Sequence, residues 1–524
     1  MGKAFGIFIV WVAILGGGAF AYKYFILDKE AETKDADKDK PADKKTDKDE
    51  SVAPAGSLKV KLALDSFSGY CVFRSPEFKK RLAARKIDFE CVDDKADYAK
   101  RMQSVESGET PLAVFTIDAL ITHTPKNVDP PAAIVMLIDE TRGADAMIAY
   151  KQGVKDVGAL NDPRAKIVLT EGSPSETLFR VVRNQFNLTM LPGKKQDYIL
   201  PANPDKGAED VYQQFLNSRP TERKAFVLWE PYVSLALNAK KGEAQVLMDS
   251  SEFKGYIVDV LIAQQKYLNE HPDVVEAVVR TYLEVLHDQQ KSRNGMAEMV
   301  LADAKIIGEA NIDTLEKAQR VARGIWWKNT VENYDHFRVH DTPSKNLQQV
   351  IDMIDRITRV LNETREPDEP TVTVGRTDKL FTASVLTKLR DLRPPLHLAD
   401  QTIREEEQVA ALSAADWDRL QPVGNLRVKK IEFSSKNKDQ LTDDAEALLT
   451  ELAGELRQWP QYYLRIEGHT DAAGDREANM ALAGRRAETV RTFLREQGIA
   501  EHRIKAVAMP PGQGKEVRLV ALKK

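Results

Sequence analysis

Cysteine is nearly absent: the 524 residues contain two, Cys71 and Cys91. That excludes a disulfide-built scaffold and a zinc site made of four cysteines. Histidine is sparse and scattered, eight in all, and no metal or cofactor is expected. There is no excess of positive charge: 76 Lys and Arg face 80 Asp and Glu, a net charge of −4. A nucleic-acid binder normally carries a basic stripe, so no nucleic acid is expected among the partners. Apolar residues make up 42% and charged residues 30%, which excludes a collagen-like, mucin-like or wholly disordered chain. The length suggests about three domain-sized units.

What is present begins with an address. Residues 4–22, AFGIFIVWVAILGGGAFAY, carry no charge, close to the ~20 residues that span a bilayer as a helix. Lys3 ahead of them places the N-terminus in the cytoplasm and the body outside. The expectation is a single-pass bacterial inner-membrane anchor with the body in the periplasm. Ala19-Phe20-Ala21 also has the shape of a signal-peptide cleavage site, although the apolar run resumes at Tyr24-Phe25-Ile26-Leu27. Neither cysteine lies near this stretch, unlike in a bacterial lipoprotein. The stretch has no ionisable residue, which argues against a proton-conducting or motor-stator role. The linker 23–56 follows. In Asp28–Glu50, 17 of 23 residues are charged, too polar to offset ordering entropy. About 29 residues of such chain stretch to at most ~100 Å and average nearer ~30 Å as a coil.

From Ser57 strands and helices alternate. Strand candidates are 58–64, 87–92, 113–116, 133–138, 167–169 and 226–228. The alternation predicts an α/β fold with largely parallel sheets. Ligands in such folds sit at the carboxyl ends of strands, so the candidate solute-binding residues follow each strand. They are Ser68 and Tyr70; Thr116 and Asp118; Arg142; Ser173 and Ser175; Trp229 and Glu230. Each has a plainer reading. Ser68-Gly69-Tyr70 can be a turn, Arg142 a salt-bridge partner and Trp229 core. Ser173-Pro174 with Glu176 reads as a helix start, whose amides can also face a bound polar group.

Gly69, Arg142-Gly143-Ala144-Asp145, Gly172-Ser173, Trp229-Glu230-Pro231-Tyr232 and Gly324-Ile325-Trp326-Trp327 occur in this order. The order resembles the periplasmic substrate-binding proteins of nitrate, sulfonate, taurine and thiamine-precursor ABC importers. The resemblance covers residues 57–392 and implies two lobes that close over a small-molecule solute by a hinge, with an ABC permease as partner. Lobe I would be 57–143 plus 246–392, and lobe II 144–245. Asp65, Asp118, Asp139, Glu176 and Glu230 lie near the expected cleft, which leans away from an anionic ligand. A related fold hosts thiamine-pyrimidine synthesis with a cysteine-rich motif and active histidines. This chain lacks both, and no enzyme is expected; His336 and His340 read as a surface pair. Cys71 and Cys91 either pair in the oxidising compartment, closing a loop worth ~3 kcal/mol, or remain buried thiols.

Residues 393–423, with Arg393-Pro394-Pro395 and Glu405-Glu406-Glu407, read as a linker. The unit 424–524 then reads as βαβαββ: a strand through Leu426, Val428, Ile431 and Phe433, a helix from Thr442, a strand at 462–467, a long helix over 475–497, and strands at 504–508 and 517–522. Arg486 falls within the apolar stripe Ala483, Ala487, Val490 and Leu494. A charge beside a core face needs a partner, and Asp471 is the natural one. The two either form a salt bridge or together hold a zwitterion, whose carboxylate would suit the planar fork of Arg486.

The segment GHTDAAGDREANMALAGRRAETVRTFL, with Gly468, Thr470, Asp471, Gly474, Asn479, Leu482, Arg485-Arg486-Ala487 and Leu494, closely resembles the OmpA-like peptidoglycan-binding domain. That resemblance implies that Asp471 and Arg486 bind the diaminopimelate of a stem peptide, with Thr470 and Asn479 beside them. Ala483 stands where the family usually has Ser. Two functions therefore fit the chain: a membrane-anchored envelope protein that binds a solute and grips peptidoglycan, or a structural or signalling protein whose solute-binding fold serves as a protein-interaction module.

Overall fold

The computed structural model describes residues 56–126, 128–186, 188–191, 194–203, 206–339, 348–366, 369–374, 376–391, 409–434, 439–459, 461–512, 514 and 516–524. The expected anchor 4–22, nearly all of the 23–56 linker and residues 393–408 of the second linker lie outside these. No helix among the described residues is long and apolar enough to cross a membrane.

The strands are β1 (Leu58–Leu64), β2 (Ile87–Asp93), β3 (Leu112–Thr116), β4 (Ala132–Glu140), β5 (Asp145–Tyr150), β6 (Lys166–Leu169), β7 (Ile199–Pro201), β8 (Lys224–Trp229), β9 (Ala244–Asp249) and β10 (Val258–Gln264). They form two five-stranded sheets of matching design, ordered β2-β1-β3-β10-β4 and β7-β6-β8-β5-β9. β3 and β4 are buried along their whole length and read as continuous apolar runs, as strands covered on both faces do.

The sheets are mixed rather than largely parallel. β10 runs antiparallel to β3 and β4, and β5 antiparallel to β8 and β9. Both inserted strands begin where the chain has just crossed from the other sheet. They therefore start at the edge where the parallel strands end, and must run the opposite way. The second sheet extends through Asp249, past the 245/246 crossing expected from the sequence.

The first crossing, between β4 and β5, is gripped from both sides. Thr141 N donates to Ile257 O (3.1 Å), Arg142 N to Gly324 O (2.7 Å), and Trp326 N to Glu140 O (2.9 Å). Glu140 then ties three segments with one carboxylate. Its Oε1 accepts from Gly255 N (2.6 Å), and its Oε2 from Lys328 Nζ (2.6 Å) and Arg142 Nη2 (2.8 Å). Burial opposes ionisation of Glu140, but Arg142 and Lys328 overcome it and hold its pKa well below the usual carboxylate range. Lys328 is itself lowered by burial, which outweighs the favourable field of Glu140.

The C-terminal sheet comprises β11 (Gln421–Asn425), β12 (Tyr463–Gly468), β13 (Ile504–Ala508) and β14 (Val517–Lys523), in the order β11-β14-β12-β13. The helices Asp443–Leu456 and Arg476–Glu496 are capped by Thr442 and Asp475, whose side chains accept from Ala445 N and Ala478 N. The expected first strand is corrected. Residues 426–433 form no ladder, although Leu426 and Ile431 are buried, and the strand lies earlier at β11. The long helix packs on β12 so closely that a Cβ on Gly468 would fall 2.0 Å from Ala483 O.

This domain sits on the second crossing, residues 249–258. Lys254 N donates to Gln458 O (2.9 Å), Tyr256 OH to Glu455 Oε2 (2.6 Å), and Tyr462 OH contacts Met248 Sδ (2.7 Å). Phe253 meets Trp459 edge-to-face at 6.0 Å. Lys523 pairs with the buried Glu252, and Arg359 with Glu451 and Glu455.

Replacing Glu140 with Gln leaves Lys328 buried without its counter-charge and is expected to cost about 3–5 kcal/mol in urea unfolding. Gly468→Ala is expected to cost about 2 kcal/mol or more, because the obstacle is backbone; a shifted transition of the C-terminal domain would register it.

Candidate functional sites

The carboxyl ends of β1 and β3, the end of β4 and the start of β10 share one edge of the first sheet. Tyr70 lies in a buried turn after β1, and its hydroxyl donates to Asp259 Oδ1 at 2.5 Å. Ser68 is buried in the same turn. Gly69 leaves room for a carboxyl: a Cβ there would fall 2.5 Å from Asp139 Oδ2. Trp327 Nε1 donates to Gly69 O (2.8 Å) and fixes the turn.

Asp139 and Asp259 are direct partners in the antiparallel pair of β4 and β10. Both are fully buried. Burial raises Asp139 to about 7 and Asp259 well above the usual range, with the two carboxyls acting on each other. Neither oxygen of Asp139 receives a bond from an amide, hydroxyl, amine or guanidinium.

Thr116 and Asp118 are buried at the end of β3. Asp118 accepts from the Thr177 hydroxyl, which lies on the helix Pro174–Gln185 packed against β5 and β8, so this contact joins the end of the first sheet to an element of the second. Asp145 opens β5, is 2% exposed, and is raised to about 7 by burial and secondarily by Asp118. Ser175 is wholly buried, and its hydroxyl has no partner.

Other expected residues are turned to different tasks. Arg142 pairs with Glu140 and stacks over Trp326 at 4.1 Å. Ser173 begins its helix without a side-chain cap; its hydroxyl donates to Thr170 O (2.7 Å), and Glu176 accepts from Gly172 N (2.8 Å). Glu230 accepts from the amide and hydroxyl of Ser234 and so caps the next helix. Trp229 is half-buried against Gly207. Cys71 and Cys91 are separate thiols: Cys71 is buried in the helix after β1, while Cys91 lies in β2 with its sulfur 3.6 Å from Phe73 O. His336 is buried rather than a surface residue. Its Nδ1 meets Gln348 O (2.6 Å), and burial lowers it to about 3. His340 lies outside the described residues. Among the described residues no group of three His, Cys, Asp or Glu side chains is placed to hold a metal ion.

Asp259 and Asp145 were absent from the candidates read off the sequence. A lone acid inside the apolar run 257–262 was the available signal for Asp259.

The second site lies on the C-terminal domain. Asp471 is half-buried in the loop after β12. Asn479 Nδ2 braces that loop by donating to Ala473 O (2.8 Å) and Asp471 O (3.4 Å). Thr470 is buried; its hydroxyl donates to Asn479 O (3.4 Å), and its carbonyl accepts from Gly512 N (2.9 Å). Arg486, half-buried on the long helix, holds its guanidinium over the Phe433 ring at 4.8 Å. Burial lowers its pKa, and Asp439 acts in the opposite sense.

Residues 435–517 match the OmpA family. Similar curated proteins include the peptidoglycan-associated lipoproteins of Mesorhizobium japonicum, 38% identical over 76 residues, and Brucella melitensis, 42% over 65; these stretches are 14% and 12% of this chain and 45% and 39% of the relatives. The outer-membrane lipoprotein YfiB of Pseudomonas aeruginosa is 32% identical over 99 residues, 19% of this chain and 59% of that protein. The chain thus spans about half the length, or less, of the first two relatives. Among solved structures, the periplasmic nitrate-binding protein NrtA of Synechocystis PCC 6803 is similar at 13% identity and TM-score 0.47, covering 65% of this chain and 90% of that one. The periplasmic aliphatic sulphonate-binding protein SsuA of Escherichia coli is similar at 14% identity and TM-score 0.44, covering 68% and 98%. The body itself consists of two mixed five-stranded sheets joined by two crossings.

Asp145 yields a pH prediction. Its folded pKa lies above the ~3.9 of an unfolded aspartate, so the native state holds the extra proton between about pH 4 and 7. Stability from this group therefore falls as pH rises through that window. The Asp145→Asn variant is expected to gain on the wild type from pH 5 to pH 8, read as a widening difference in melting temperature.

Proposed function

We propose that this chain, whose residues 435–517 belong to the OmpA family, is an envelope protein that grips peptidoglycan with its C-terminal domain and captures a small solute between two lobes. The reading places an inner-membrane anchor at 4–22, a charged spacer at 23–56, lobes within 57–392, a linker at 393–423 and the wall-binding unit at 424–524. The body then stands in the periplasm, near enough to deliver its solute to an ABC permease at raised local concentration.

The observation that carries the wall-binding half is the pairing of an OmpA-family match with a braced Asp471 loop and a guanidinium stacked on Phe433. In this reading Arg486 takes the carboxylate of diaminopimelate and Asp471 its ammonium, with Thr470 and Asn479 holding the loop between them. A zwitterion suits such a site because each charged end meets its opposite at short range. The relatives named peptidoglycan-associated lipoproteins support the same partner. The solute half is supported by the buried polar side chains gathered at the facing sheet edges and by Thr177 reaching Asp118 across the lobes.

A sedimentation assay with purified sacculi tests the wall-binding half. The full chain is expected to co-sediment, with Asp471→Ala and Arg486→Ala each weakening binding by at least ~10-fold, or about 1.4 kcal/mol. Unchanged co-sedimentation of both variants would remove these residues from the site.

A further inference from the structure

We propose that the solute taken between the lobes is a small organic cation bearing a protonated amine, held by Asp118, Asp139, Asp145 and Asp259. This rests on the solute-binding reading above and adds the ligand's chemical class.

The argument is one of charge compensation. Several buried acids elsewhere in the body have cationic partners. Asp65 and Asp94 share Arg101, Asp303 binds Arg74, and Glu140 binds Lys328 and Arg142. The four acids at the cleft edge differ. All are at most 6% exposed, and no Lys, Arg or His ion pair is made to any of them among the described residues. Hydroxyls donate to two of them: Tyr70 to Asp259 and Thr177 to Asp118.

Several acceptors stay open. Asp139 and Asp259 share a hydrogen bond with each other, and neither oxygen of Asp139, nor one oxygen each of Asp118 and Asp145, receives a well-placed amide, hydroxyl, amine or guanidinium donor. Ser175, at the start of the bridging helix and wholly buried, has an open hydroxyl as well. Leaving buried carboxyls uncompensated is costly, and the cost is met by a neutralising proton or by a cation. The raised pKa values of Asp139, Asp145 and Asp259 are what the proton-bound, ligand-free site would show.

The class of cation follows from geometry and donors. No group of three acidic or histidine ligands is placed for a metal ion among the described residues. An ammonium offers only donors, the complement of an acceptor-only cluster. Nitrate or a sulfonate would face these acids with no guanidinium to offset them, because Arg142 is held by Glu140 and Trp326. The acids also come from both sides of the hinge: Asp118, Asp139 and Asp259 from the first sheet's edge, and Asp145 from the start of the second sheet. A cation among them would therefore favour closure.

Calorimetric titration of the purified full chain with 1,4-diaminobutane and ethanolamine, against sodium nitrate and sodium methanesulfonate, tests the inference. Saturable heat is expected with at least one amine and with neither anion. Asp139→Asn and Asp145→Asn are each expected to weaken amine binding by at least ~10-fold while sacculus binding and circular dichroism stay unchanged. Binding of an anion but no amine would overturn the cation assignment and leave solute capture standing. Amine binding undiminished in both variants would overturn this site. No heat with any of the four would overturn the cation assignment together with the solute-binding reading.

Discussion

The body of this protein is organised around one carboxylate. Glu140 sits where the chain leaves the first sheet, and it binds the backbone of the second crossing, the buried Lys328 and the guanidinium of Arg142. Three segments far apart in sequence are thereby fixed at the junction of the two five-stranded sheets. The groups depend on one another: burial lowers Lys328 while Glu140 opposes that shift, and Arg142 and Lys328 hold Glu140 well below the usual carboxylate range against its burial. The placement of the lobe edges, and hence of the acids between them, follows from this node.

The sequence made the parallel cores legible. β1 alternates apolar residues with Lys59 and Lys61, while β3 and the first seven residues of β4 are near-continuous apolar runs, as strands covered on both faces are. The inserted strands β5 and β10 were not read, although both are apolar, because their place depends on where the chain returns from the other lobe. The first C-terminal strand was misplaced for a local reason. β11 contains Pro422 and Gly424, residues that normally break strands, and Pro is tolerated at a sheet edge. The apolar residues just after it are buried without joining a ladder. The long helix and its cap at Asp475 were readable from the 3.6-residue spacing of Ala483, Ala487, Val490 and Leu494, all four of which are buried.

The candidate sites divided along a similar line. In the C-terminal domain, an arginine inside an apolar stripe announced itself by being out of place, and Phe433 explains how it is tolerated. At the facing sheet edges, sequence position identified residues that follow strands but not the partners they choose. Arg142, which reads either as a ligand contact or as a salt-bridge partner, is the latter in the Glu140 node, while Glu230 is a helix cap. Asp139 and Asp259 become neighbours only through the pairing of β4 with β10, a long-range fact that no local window contains. His336 likewise reads as a surface residue on spacing alone and is enclosed by the fold.

The C-terminal domain rests on residues 249–258, the same stretch whose Gly255 amide is held by Glu140. A mechanical load applied to that domain would pass through Tyr256, Lys254 and Glu252 into the stretch that joins the two sheets. Tension in whatever the C-terminal domain holds would then reach that junction before it reached the far edge of either sheet.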